Sequence, residues 1–156
     1  MTYSEYRKKA QAEFDSLPIF FAFGKQQFKE EMEKRGLTEN DVDKVYRLGS
    51  GFGGYYLKSD ADIIRAYFEK EDELPKLMKN KKFAVSAFFF EMCNHEYGIN
   101  YQGDWDVCSC FGRCEHDYGK SGEDYLKEIG YGDSVIDAYR IARNKYNKAA
   151  MENDWF

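Results

Sequence analysis

The chain has 156 residues, which fits one globular domain (1–156) large enough to bury a core without disulfides. Apolar residues make up 43% and charged residues 33%, a balance that excludes compositional disorder, and the longest apolar run, Phe83 to Met92, is broken by Ser86 and Glu91 and is far too short for a bilayer span. The net charge of −5 is unevenly spread: ten acids and three bases lie between Glu91 and Asp133, a composition that repels nucleic acid and suits a basic protein surface.

In chain order, Tyr3 to Leu17 reads as a helix, with Ser4 as cap and Tyr6, Ala10 and Phe14 on one face, ended by Pro18. Ile19 to Phe23 reads as a buried strand between Pro18 and Gly24. A second helix follows, with Phe28 and Met32 inward and Gly36 closing it, and Thr38 with Asp41 resembles a helix start. Val45 to Leu48 and Tyr55 to Lys58 pair as strands around the glycine loop Gly49 to Gly54. Ser59 is the expected cap of a helix that turns Ile63, Ile64, Tyr67 and Phe68 inward. Phe83 to Tyr97 predicts a central helix, apolar nearly all round. Ile99 to Tyr101 fits a short strand, and Trp105 to Phe111 shows neither period. Glu123 to Ile129 makes a short helix ending at Gly130. A last helix, capped by Asp133 or Ser134, carries the stripe Val135, Tyr139, Ala142, Tyr146 and Ala149, with a fraying tail from Glu152 to Phe156. The pattern predicts a helix-rich α+β fold, a small two- to four-stranded sheet packed against about five helices.

Gly49, Gly51 and Gly54 match G-x-G-x-x-G, but a dinucleotide loop needs a helix after it, and here the strand-like YYLK follows. Gly51, Gly53 and Gly54 are therefore read as structural residues of a hairpin connection. Cys93, Cys108, Cys110, Cys114, His95 and His116 are the residue types zinc prefers, in spacings that fit no common zinc module. The N-terminus MTYSEYRKKA has no apolar leader segment, so a reducing, cytoplasmic setting with free thiols is expected. Glu91 and His95, one helical turn apart, could form an acid–imidazole base. The plainer expectation is a polar helix end in which Asn94, His95 and Glu96 fasten the following loop. Asp104, Asp106 and Glu115 mimic part of a calcium loop, but Cys108 and Ser109 break the motif. The bases Arg140, Arg143, Lys145 and Lys148 read as a solvated helix face. No metal or other cofactor is expected, and no catalytic residue is assigned.

Three segments together carry a resemblance: Phe20-Phe21-Ala22-Phe23-Gly24-Lys25-Gln26-Gln27-Phe28, the hairpin Gly49 to Lys58, and Glu91-Met92-Cys93-Asn94-His95-Glu96-Tyr97-Gly98 followed by Gly103-Asp104. They resemble a family of small proteins carried by phages and conjugative elements of bacteria, over roughly residues 17 to 135. The cysteines are not part of that family's pattern. The resemblance implies an accessory anti-defence role: a protein partner that is a host RNA-guided CRISPR nuclease, met without direct contact to nucleic acid or membrane. An acidic inhibitor of that kind occupies a basic nucleic-acid channel. Asp104, Asp106, Glu115, Asp117, Glu123 and Asp124 are the expected contact residues, with some of the 13 tyrosines exposed beside them.

Overall fold

Side-chain caps open four of the helical segments in the computed structural model, which describes residues 1–49 and 51–155. Ser50 of the glycine loop and Phe156 of the tail lie outside the described residues. Helix α1 (Tyr3–Asp15) begins after Thr2, whose hydroxyl accepts the Glu5 N–H at 3.2 Å while the Glu5 carboxylate accepts the Thr2 N–H at 2.6 Å; Thr2, and not Ser4, is the cap. Strand β1 (Phe20–Phe21) leads to α2 (Lys25–Lys34) and to a 3-10 helix (Glu39–Lys44) opened by a capping box between Thr38 and Asp41. The hairpin of β2 (Val45–Leu48) and β3 (Gly54–Leu57) follows. A 3-10 turn (Lys58–Asp60) absorbs Ser59 and leads into α3 (Ala61–Glu69), so Ser59 caps nothing. Next come α4 (Leu74–Leu77), with Pro75 in its first turn, and α5 (Lys81–Asn94), whose first turn is held by the Asn80 side chain accepting the Phe83 N–H. The chain closes with α6 (Gly103–Ser109), α7 (Gly122–Ile129) between a Ser121–Asp124 capping box and a left-handed Gly130, and α8 (Asp133–Glu152).

Among the described residues this makes eight α-helices and one three-stranded antiparallel sheet in the order β1-β3-β2, an α+β fold as predicted, with more helices than about five. The added ones include α4 and α6, too short to show a hydrophobic period. Ile99 to Tyr101 is a turn and not a strand. Glu96, at φ 50°, reverses the chain, and its carbonyl accepts the N–H groups of Ile99 and Asn100.

The chain forms two compact units, residues 10–71 and residues 1–9 with 72–156. In the first, Phe20 pairs with Tyr55 across β1 and β3, and the rings of Phe20, Phe28 and Tyr55 cluster. Edge strand β1 is only two residues long, so Phe20 is buried while Phe21 and Phe23 stay exposed, where a buried five-residue strand was expected. The four apolar residues of α3 span about 140° of its circumference. Its middle pair, Ile64 and Tyr67, turns inward, and Ile63 and Phe68 at the margins remain exposed.

In the second unit α5 is the central helix and packs along α8. Ala84 and Ala87 on α5 and Ala138 and Ala142 on α8 are fully buried, and small residues let two helix backbones approach. Phe88 fills the middle, edge-on to Tyr139 at 5.1 Å and to Phe111 at 4.6 Å. The α8 stripe is buried as read at Val135, Tyr139, Ala142 and Tyr146, with Ala150 in place of Ala149 at its end. No helix among the described residues is long and apolar enough to cross a membrane. Phe88→Ala is expected to cost about 3–5 kcal/mol in denaturant unfolding, whereas Ile99→Ala, on an exposed side chain, should stay within about 0.5 kcal/mol.

Candidate functional site

Helix α5 ends by placing two polar side chains one turn apart, Glu91 and His95, on the face that meets α1. Glu91 is the one buried charged residue among the described residues, 2% exposed. Its Oε1 accepts the Tyr3 hydroxyl at 2.6 Å and lies 3.3 Å from the Arg7 guanidinium. Its Oε2 accepts from Asn94 Nδ2 at 3.1 Å and lies 3.5 Å from His95 Nε2. Cys110, the residue that ends α6, brings its Sγ to 3.5 Å from the same His95 nitrogen and donates to the Asp106 carbonyl at 3.3 Å. Burial, reinforced by Glu91, pushes the Cys110 thiol up to about 12, and burial together with the bond to Glu91 raises the Tyr3 phenol.

This arrangement is not wired for nucleophilic catalysis. A thiol so raised stays protonated at neutral pH. In a Cys–His–acid relay the acid holds one imidazole nitrogen and the nucleophile the other, whereas here Nε2 faces both. The polar helix end does fasten the following loop. The Asn100 amide donates to the His95 carbonyl at 3.1 Å and to Asp106 at 2.7 Å.

The six cysteine and histidine candidates do not converge. Cys108 is buried and bonded to the Gly122 carbonyl at 3.5 Å, Cys114 is buried, and Cys93 is exposed. His116 sits edge-on to both Trp105, at 5.0 Å, and Tyr118, at 4.3 Å. Of the six, His95 and Cys110 meet, and the third group they meet is a carboxylate.

The six expected contact acids divide in the same way. Asp104 accepts the Tyr97 hydroxyl at 2.7 Å and makes a short hydrogen bond with Tyr139. Burial, together with that bond to Asp104, pushes the Tyr97 phenol up to about 12. Asp106 accepts from Asn100, and Glu123 accepts from Arg143 at 2.8 Å and lies 3.6 Å from Arg140. Burial works upward on the Glu123 carboxyl, but hydrogen bonds from its own backbone and from Arg143 hold it below its ordinary value. Asp124 is tied to Ser121 in the α7 cap. Glu115 and Asp117 remain exposed, and neither forms an ion pair among the described residues. Tyr118, next to Asp117 in the chain, is 77% exposed, and Tyr101 is 91% exposed. Gln102 Nε2 lies 3.5 Å from the Tyr118 hydroxyl, which joins the turn of Tyr101 to the loop of Asp117.

The glycine loop is a hairpin connection. Gly49, Gly51 and Gly53 have φ of 65°, 90° and 64°, and a Cβ on Gly53 would lie 2.8 Å from the Phe23 ring. Gly54 is the β3 residue paired with Leu48, and no helix N-terminus follows it to hold a phosphate. Sequence reasoning missed Tyr3 and Arg7 as partners of Glu91. They share a face of α1, but nothing local links them to a residue more than 80 positions away.

The raised phenol and thiol set a pH dependence. In the unfolded chain Tyr97 and Cys110 lose their protons near their ordinary values of about 10 and 9, below the value of about 12 that both have in the fold. Their contribution is complete below about pH 9 and is lost as the pH rises toward 12. The urea midpoint should hold from about pH 7 to 8.5 and fall by about pH 10.5, and Tyr97→Phe should flatten that fall; an equally steep fall in the variant would contradict it.

No curated protein and no solved structure matches the chain significantly. A family model does match residues 2–117, a span that includes Tyr3, Arg7, Glu91, His95, Cys110, Glu115 and Asp117. With that match over most of its length, the chain belongs to DUF7659, a family of unknown function.

Proposed function

We propose that the protein is a non-catalytic binding protein that inhibits a host RNA-guided nuclease on behalf of a mobile genetic element. It meets a basic surface of that nuclease through the edge formed by Tyr101, Glu115, Asp117 and Tyr118. The observation that carries this reading is that the Tyr101 turn and the Glu115–Tyr118 loop, joined by the Gln102–Tyr118 contact, carry two largely exposed tyrosines and two exposed acids that form no ion pair among the described residues. Tyrosine supplies large contact area at low entropic cost and is enriched among residues that dominate binding energy. Unpaired acids are attracted to a channel lined with Lys and Arg for nucleic acid. The class of partner comes from the resemblance of the segments around Phe20, Gly49 and Glu91. The absence of turnover is supported by the protonated Cys110 thiol and the shared His95 nitrogen.

This contact set is narrower than the acidic stretch as a whole, because Asp104, Asp106, Glu123 and Asp124 serve the fold. The test is a target-cleavage assay with purified nuclease–guide complex at low and high salt. Glu115→Lys combined with Asp117→Lys should weaken inhibition at least about tenfold, equivalent to 1.4 kcal/mol, with an unchanged unfolding midpoint. Tyr101→Ala combined with Tyr118→Ala should do the same with less salt dependence. Full inhibition by both double variants would sink the reading.

A further inference from the structure

We infer that Glu91, His95 and Cys110 form a binding site for one zinc ion, with Oε2, Nε2 and Sγ as ligands and a fourth position left to water. A Glu91 carboxylate oxygen, a His95 ring nitrogen and Cys110 Sγ lie within 4.8 Å of one another. Nε2 is 3.5 Å from Oε2 and 3.5 Å from Sγ. Ligands held tetrahedrally at zinc distances of about 2.0–2.3 Å stand about 3.3–3.8 Å apart, so the two edges at Nε2 already fit and the third, from the Glu91 carboxylate to Sγ, lies within 4.8 Å.

The surroundings suit a metal better than a bare hydrogen-bond cluster. The Tyr3 hydroxyl and Arg7 both occupy Oε1, which leaves Oε2 to Asn94 and His95. Oε2 accepts one bond from Asn94 and keeps a second lone pair for an ion. Such outer partners orient ligands in known metal sites. His95 keeps 31% of its side chain exposed and Cys110 is half-buried, so an ion can enter and water can complete the coordination. Imidazole, thiolate and carboxylate are all zinc ligands, and three of them leave a fourth position for water. On binding, the Cys110 S–H bond breaks, its proton goes to solvent and the sulfur lone pair goes to zinc; nothing is oxidised or reduced. The glutamate, supplied one turn before His95, is the ligand a search for cysteine and histidine spacings passes over.

The site is independent of the tyrosine and acid edge, and its failure would leave the binding reading intact. The reduced, metal-stripped full chain is titrated with cobalt(II), a spectroscopic stand-in, and then with zinc against a chromophoric chelator. One ion per chain is expected, with a thiolate-to-cobalt absorption band. Cys110→Ser should abolish the band, His95→Gln should weaken zinc binding at least about tenfold, and Cys93→Ser, on an exposed thiol, should change neither. Circular dichroism checks the folding of each variant, and His95→Gln carries the test alone if Cys110→Ser does not fold. Binding well below one ion per chain, a band that survives Cys110→Ser, or zinc affinity unchanged in a folded His95→Gln would overturn the assignment.

Discussion

A carboxylate that is 2% exposed must be satisfied from every side, and much of the larger unit is arranged around that demand at Glu91. Its own helix supplies Asn94 and His95 within one turn. The other donors come from the chain's beginning, where Tyr3 and Arg7 stand four apart on α1 and both reach Oε1. The Thr2–Glu5 capping box fixes the first turn of that helix and therefore the place of Tyr3. Stripping one partner from a buried ion costs more than the intact pair contributes, because the remaining charge is left without compensation. The first nine residues consequently belong with 72–156 and not with the segment that follows them.

A second polar knot follows α5 in the chain. Asp104 joins the hydroxyls of Tyr97 and Tyr139, and Asn100 bridges the His95 carbonyl to Asp106. Between these fixed points the chain from Gly98 to Gln102 has little freedom, and it carries Tyr101 outward. An exposed aromatic on a restrained turn loses little entropy on binding, the condition under which a tyrosine becomes an anchor. The same bonds that remove Asp104 and Asp106 from the contact surface hold the Tyr101 turn in place.

Much of this fold is legible in the sequence wherever a period or a cap is present. The α5 run, the α8 stripe, the β2–β3 hairpin and the Thr38 start all follow from local pattern. What fails is local pattern without tertiary context. Ile99 to Tyr101 has strand-like composition, but the left-handed Glu96 and the Asn100 side chain make it a turn. Four apolar residues of α3 look inward, yet the helix buries only the middle of their arc. The Glu91 site was half visible as an i, i+4 acid–histidine pair. Its other half, Tyr3, Arg7 and Cys110, is assembled by folding and leaves no spacing to read.

The acidic stretch shows why a count of charges overstates an electrostatic surface. Of the ten acids between Glu91 and Asp133, three are paired with a cation: Glu91 with Arg7, Glu123 with Arg143 and Glu128 with Lys120. Asp104, Asp106, Asp117 and Asp124 accept hydrogen bonds from neutral donors within the fold. Glu96, Glu115 and Asp133 are left, and Glu115 together with Asp117, which stays exposed, precedes the exposed Tyr118 in the same loop. Exposed charges more than a Debye length of about 8 Å apart act almost separately at physiological salt, so a diffuse field from the whole stretch would contribute little to holding a partner. A compact edge in which two acids set the approach and two aromatic rings supply the contact area is the arrangement by which so small a net charge can select a basic surface.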